Sequence, residues 1–296
     1  MKNTIFTGIG TAIVTPMKEN GELDLAALDR LLEFQIAGGV NAIVVCGTTG
    51  ESATLTVEEH QLMIRHTVEK VGGRVPVVAG TGANCTQKAI DMTRYACQVG
   101  VDGCLLVTPY YNKATQSGLV AHYTAIADAA TKPVILYNVP SRTGCNLLPE
   151  TAAKLAKHGN IAALKEASGN ISQIADVIDA AGVDLEIYSG NDDQMVPIMA
   201  LGGIGCISVL SNVAPELACG ITGNMLGGNY KEAARLQLKA LPLCHNLFSQ
   251  VNPIPVKAAL ARMGLIEGGI RLPLTPMEEP HWSRLEAALR EEGLIG

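Results

Sequence analysis

Ile161-Ala162-Ala163-Leu164-Lys165 is an apolar run closed by a charge, and Glu166-Ala167-Ser168-Gly169-Asn170 follows it as a polar exit. Both faces of the run are apolar, so it does not alternate as a half-exposed strand does. It reads as a parallel strand covered on two sides. A lysine ending such a strand must have its charge satisfied or lose its proton. A neutral amine attacks carbonyl carbon, so the position points to Schiff-base chemistry. The competing reading is a side chain that snorkels past the strand end or pairs with an acid.

Seven further runs of this kind lie along the first two thirds of the chain, at residues 11–15, 42–46, 75–79, 104–108, 134–137, 185–189 and 206–210. Helical patterns separate them. Leu25, Leu28, Leu32 and Ile36 form one apolar stripe, stopped by Gly38-Gly39, and Thr56-Val57-Glu58-Glu59 opens the next helix as a capping box. Further helices are expected at 86–98, 118–130, 149–157, 171–181, 192–200 and 215–225. Strands alternating with helices in this number predict an α/β fold, a closed (β/α)8 TIM barrel, with an open doubly wound sheet as the alternative. Beyond about Gly228 the strand runs stop, and helical segments follow at 230–248, 255–263 and 280–292. The expected division is a catalytic barrel over residues 1–227 and a C-terminal helical extension over 228–296.

Composition narrows the function. The chain has 296 residues, 48% hydrophobic and 17% charged, which fits a compact globular protein. A net charge of -6 with no basic cluster disfavours nucleic acid and anionic membrane as partners. No Cys-x-x-Cys pair occurs among the 8 cysteines, and several lie in apolar runs, as in a reduced cytoplasmic protein. The 6 histidines lack the spacing and acidic company of a zinc site, so no metal is expected. Met1-Lys2-Asn3-Thr4-Ile5-Phe6 carries one positive charge, but Gly8, Gly10 and Pro16 break the apolar stretch that a leader needs.

In a barrel the chemistry gathers at the carboxyl ends of the strands. The second run exits into Gly47-Thr48-Thr49-Gly50-Glu51, the fourth into Pro109-Tyr110-Tyr111-Asn112-Lys113, and the fifth into Tyr137-Asn138-Val139-Pro140-Ser141-Arg142-Thr143-Gly144. The seventh exits into Ser189-Gly190-Asn191-Asp192, and Ile207 lies in the eighth. Imine formation on Lys165 needs a proton shuttle. The Tyr137 phenol can serve if the hydroxyls of Thr48 and Tyr111 hold it. Gly47 and Gly50 allow backbone N–H groups to approach a carboxylate closely, and Arg142 suits a second carboxylate. Glu166 falls on the opposite face of its strand from Lys165, which removes it as the base. Gly80-Thr81-Gly82 lacks the third glycine of a dinucleotide loop and reads as a turn, and Gly202-Gly203-Ile204-Gly205 reads as an interhelical turn. No phosphate loop follows the last two runs, which weighs against a phosphosugar aldolase.

Gly47-Thr48-Thr49-Gly50-Glu51-Ser52, Pro109-Tyr110-Tyr111-Asn112-Lys113, the segment from Tyr137 to Gly144, and Leu164-Lys165-Glu166-Ala167-Ser168-Gly169 together resemble the dihydrodipicolinate synthase family. That family belongs to the pyruvate-dependent class I aldolase superfamily, which includes N-acetylneuraminate lyase. The resemblance runs from Gly10-Thr11-Ala12 through the helical tail. It implies a lyase in which pyruvate forms an imine with Lys165, becomes an enamine and adds to the aldehyde of L-aspartate 4-semialdehyde. Thr48, Tyr111 and Tyr137 match the family's proton relay, with Tyr111 reaching into the neighbouring subunit's site. Thr49 matches the residue whose backbone binds the pyruvate carboxylate, Arg142 the arginine that receives the semialdehyde carboxylate, and Gly190 and Ile207 residues lining the site. The resemblance also implies no metal or organic cofactor, a homotetramer of tight dimers, and a place in diaminopimelate and lysine biosynthesis. Another pyruvate lyase acting on a sugar acid is the alternative within the superfamily. A silent barrel that only binds pyruvate-like ligands is the alternative outside catalysis.

Many members are inhibited by L-lysine at the dimer interface. Ser52, Ala53, His60, Asn84 and Tyr110 stand at matching positions, but Val57 replaces a common histidine and Lys88 replaces a glutamate that contacts the ligand's amine. A cation in place of an acid removes attraction and adds repulsion. Weak or absent lysine feedback is therefore expected.

Overall fold

The computed structural model describes residues 4–296. Met1, Lys2 and Asn3, the start of the stretch read above for a leader, lie outside the described residues. Eight parallel strands close into a barrel in sequence order: β1 (Gly8–Ala12), β2 (Ala42–Val45), β3 (Val77–Gly80), β4 (Gly103–Val107), β5 (Val134–Asn138), β6 (Ile161–Glu166), β7 (Glu186–Ser189) and β8 (Gly205–Ser208). Closure is made where Gly8, Ile9, Gly10 and Thr11 of β1 pair with Gly205, Cys206, Ile207 and Ser208 of β8. This removes every sheet edge and excludes the open doubly wound sheet.

Around the barrel run α1 (Leu25–Ala37), α2 (Val57–Val71), α3 (Thr86–Val99), α4 (Gln116–Ala129), α5 (Pro140–Thr143), α6 (Pro149–Ala156), α7 (Ile171–Ala181), α8 (Met195–Ala200) and α9 (Pro215–Leu226). Then come α10 (Tyr230–Leu247), α11 (Ile254–Arg262) and α12 (Glu279–Glu291). The α2 cap is the box read from the sequence. Thr56 Oγ1 accepts from Glu59 N at 3.2 Å, and Thr56 N donates to Glu59 Oε2 at 3.0 Å. Leu243, Leu247, Val256, Leu260, Leu285 and Leu289 of the last three helices join one apolar core with Leu28, Ile43 and Ile221 of the barrel wall. Each such side chain contributes about 2 kcal/mol by leaving water.

Three sequence readings shift. The first strand begins at Gly8 rather than at residue 11, because glycine hides its entrance. A Cβ at Gly10 would meet Phe6 Cζ at 2.6 Å. Phe6 stacks on Tyr188 with ring centroids 4.4 Å apart, and Tyr188 donates to the Phe6 carbonyl at 2.6 Å, filling the amino-terminal end of the barrel. The last strand ends at Ser208, because the N–H groups of Val209 and Leu210 turn to Asp192 instead of a neighbouring strand. Finally, Gly202-Gly203-Ile204-Gly205 links α8 to β8 and is not interhelical; Gly205 is itself a strand residue, abutting the Gly8 backbone.

Candidate active site

The carboxyl ends of the strands surround a cavity of about 550 Å³. Lys165 at the end of β6 projects into it and is only 5% exposed. Register sets Tyr137 of β5 directly beside Lys165, and the lysine Nζ lies 4.4 Å from the Tyr137 ring centroid. Gly190 makes room for the lysine: a Cβ there would sit 3.1 Å from Lys165 Cε and 2.6 Å from Ala167 Cβ. Glu166 takes the other side of the strand and is fully buried. Its carboxylate accepts from Asn138 Nδ2 at 3.0 and 3.3 Å and from Ser168 N at 2.6 Å. Burial pushes its pKa up, and the hydrogen bonds from Asn138 and Ser168 pull it back.

Thr48 and Thr49 line the opposite wall, in the loop after β2. That loop curls so tightly that a Cβ at Gly50 would lie 3.0 Å from Cys46 N, while the Cβ position of Gly47 meets nothing within 4 Å. Arg142 reaches the cavity from the single turn of α5, which Pro140 starts and Gly144 ends in the left-handed region at φ 65°. Ile207 is wholly buried in the barrel interior beside Tyr137, beneath the cavity rather than in its wall. Tyr111 is 89% exposed, holds a left-handed φ of 71°, and stands outside the cavity. One chain therefore brings together Thr48, Thr49, Tyr137, Arg142, Lys165 and Gly190, and leaves Tyr111 apart.

The sequence reading missed the fourth wall. Phe248, Ser249, Gln250, Val251 and Asn252, between α10 and α11, lean over the cavity. Asn252 ties two distant parts together: its Nδ2 donates to Thr49 Oγ1 at 2.9 Å, and its carbonyl accepts from Arg142 Nη2 at 3.3 Å. The only local signal was the break between two helical patterns. Glu51 of the loop after β2 and Lys257 of α11 form a fully buried ion pair at 2.5 Å, across 206 positions of sequence.

A second cavity of about 420 Å³ lies beside the first, lined by Ser52, Ala53, Val57, His60, Lys88 and Tyr110 among others. Asn84 is not in its wall; its carbonyl accepts from Asn112 Nδ2 at 2.9 Å. Burial pushes the His60 pKa below 6.5, opposed by its 2.8 Å hydrogen bond to the Gly80 carbonyl. All 8 cysteines are free thiols. Among the described residues no cluster of metal-binding side chains occurs, and no helix is long and apolar enough to cross a membrane.

The dihydrodipicolinate synthetase family model matches residues 5–292. The 4-hydroxy-tetrahydrodipicolinate synthase of Lachnoclostridium phytofermentans is 54% identical over 292 residues, covering 98% of this chain and 99% of that protein. The chain belongs to the dihydrodipicolinate synthetase family. Its fold matches that of the chloride-inhibited dihydrodipicolinate synthase from Acinetobacter baumannii complexed with pyruvate, with a TM-score of 0.96, 46% identity, and coverage of 99% of this chain and 100% of that one. The dihydrodipicolinate synthase of Cyanidioschyzon merolae with lysine bound gives a TM-score of 0.96 at 42% identity, with coverage of 99% and 100%. Membership of the dihydrodipicolinate synthetase family makes the chain a lyase of the Schiff-base aldolase type.

Proposed function

We propose that this cavity condenses pyruvate with L-aspartate 4-semialdehyde, the reaction of 4-hydroxy-tetrahydrodipicolinate synthases, in diaminopimelate and lysine biosynthesis. The observation that carries the reading is Lys165, buried at a strand end with its Nζ 4.4 Å from the Tyr137 ring centroid, in a cavity that also holds Arg142.

The Lys165 amine attacks the pyruvate ketone, and loss of water leaves an iminium. The iminium withdraws electrons from the methyl group, which gives up a proton and becomes the enamine carbon. That carbon attacks the semialdehyde's carbonyl carbon. The substrate's own amine then displaces Lys165 as the ring closes. The Tyr137 phenol shuttles the protons, supported by the Thr48 hydroxyl and by Tyr111 from a partner copy. The Thr49 backbone binds the pyruvate carboxylate, and Arg142 takes the semialdehyde carboxylate. Gly190 leaves space for the lysine, and Ile207 closes the floor. The reaction as written draws on no metal or organic cofactor, because the iminium is the electron sink. The working assembly is a homotetramer of tight dimers, in the cytoplasm. Residues 1–227 act as the catalytic barrel and 228–296 as its helical extension.

The test is intact mass after incubation with pyruvate and borohydride. A reduced pyruvate adduct is expected on the wild type and not on Lys165→Ala. An Arg142→Ala variant should form the adduct yet turn over the semialdehyde at least tenfold more slowly, about 1.4 kcal/mol of lost transition-state binding. No adduct on the wild type would overturn the reading.

A further inference from the structure

Asn138 and Glu166 face each other across β5 and β6, one position past Tyr137 and Lys165. Both are fully buried. Neither lines the cavity, although their chain neighbours Tyr137, Val139, Lys165 and Ala167 do. Two buried polar side chains are costly unless hydrogen-bonded, and the bonds that these two make lead to one place.

The Asn138 amide is saturated. Its Nδ2 donates to the Glu166 carboxylate, at 3.0 and 3.3 Å, and to Asn146 Oδ1 at 2.9 Å. Its Oδ1 accepts Leu147 N at 3.0 Å. One side chain therefore clasps the two ends of the bend 138–147, whose middle is α5 with Arg142. Asn146 is braced in turn from α7. Its Nδ2 donates to Gln173 Oε1 at 2.7 Å, and Gln173 Nε2 donates back to Asn146 Oδ1 at 3.2 Å. The clasp has a direction. An ionised carboxylate accepts and cannot donate, so Glu166 draws the Nδ2 edge of the amide toward itself and leaves Oδ1 for Leu147 N.

Arg142 depends on this clasp more than the reactive residues do. It sits on a single helical turn of 4 residues, too short to be stable alone. Among the described residues its guanidinium makes one hydrogen bond, the 3.3 Å contact with the Asn252 carbonyl. Its place over the cavity is thus set by where the ends of the bend are held. Tyr137 and Lys165 are fixed by main chain instead. They are register partners, Ala167 N donates to the Asn138 carbonyl at 2.9 Å, and Gly190 N donates to the Glu166 carbonyl at 2.8 Å.

We propose that Glu166, acting through Asn138, is a positioning residue for Arg142. It sets the affinity for the second substrate's carboxylate and leaves the imine step alone. This rests on the reading that Arg142 receives the semialdehyde carboxylate.

The experiment compares full-length wild type and Glu166→Gln in two assays. One measures kcat and KM for L-aspartate 4-semialdehyde at saturating pyruvate, and the other the rate of borohydride trapping of pyruvate. Glutamine presents one accepting and one donating edge, so the Asn138 amide either loses its 3.0 Å bond or turns over and releases Leu147 N. The semialdehyde kcat/KM should fall about tenfold, chiefly through KM, with trapping unchanged. Added to Arg142→Ala, Glu166→Gln should then cause no further loss. A residue that only stabilises the fold would lower the melting temperature and leave KM in place, or would add its full loss to that of Arg142→Ala. Either result sinks the proposal, as does an equal loss in trapping. Should Glu166→Gln not fold, Gln173→Ala serves instead, at a half-buried position. It removes the α7 brace from Asn146, so a loss of about threefold in semialdehyde kcat/KM is expected, and no loss overturns the idea. If Arg142→Ala by itself kept full semialdehyde turnover, the reading of Arg142 would fail, and this proposal with it.

Discussion

Lys165 and Glu166 are chain neighbours sent to opposite sides of one strand, and each fate follows from what surrounds it. The lysine meets a cavity with a glycine beside it; the glutamate is buried against amide donors. Charge at one position is also expected to set ligand choice in the second cavity. Lys88 is exposed at its wall, beside Val57. An ammonium there repels the amines of free lysine. Micromolar L-lysine should therefore leave the condensation rate unchanged. Lys88→Glu should tighten lysine binding at least tenfold, about 1.4 kcal/mol. Calorimetric titration of both proteins decides this, and tight lysine binding to the wild type would refute it.

At the scale of elements, α11 matters to the site although none of its chemistry does. Its Lys257 pairs with Glu51 of the loop after β2, and Glu51 holds a left-handed φ of 53°. Glu51 Oε2 is buried and has no hydrogen-bond partner among the described residues. Burial pushes the Lys257 pKa down, and the Glu51 charge pushes it back up. Removing one partner strands a charge in the interior. Lys257→Met should destabilise the fold by roughly 3–5 kcal/mol, measured by urea denaturation. The double variant with Glu51→Gln should recover most of that loss, since no charge is then left unpaired. A loss below about 1 kcal/mol in the single variant would mean that the pair does not hold the loop.

At the scale of the whole molecule, the question is where Tyr111 acts. A large aromatic with strained backbone, 89% exposed and outside its own chain's cavity, is poorly explained by a lone subunit. In a two-fold dimer each subunit can lend this residue to the other. Lys165→Ala and Tyr111→Phe would then complement each other. In a mixed dimer, the site that keeps Lys165 receives an intact Tyr111 from its partner. Mixing the two variants under conditions of subunit exchange should give activity above the sum of the separate proteins. Activity no greater than that sum would place the tyrosine's role within its own chain.

The strand runs, the capping box at Thr56 and the helix stop at Gly38 were legible in the sequence, because local periodicity and turn chemistry act over a few residues. So was the presence of Thr48, Tyr137, Arg142 and Lys165 at strand exits, since a barrel gathers those exits at one end. The strand ends at Gly8 and Ser208 were not legible. The first is set by a ring packed from below, and the second by a carboxylate that captures two peptide N–H groups. Nor could sequence pair Asn252 with Thr49, or Lys257 with Glu51, because contacts across more than two hundred positions leave no local pattern. Local pattern was enough to specify the barrel and the residue types at its mouth. Which of them face one cavity, which are turned away, and what braces them came from closure and packing between segments that no short window contains.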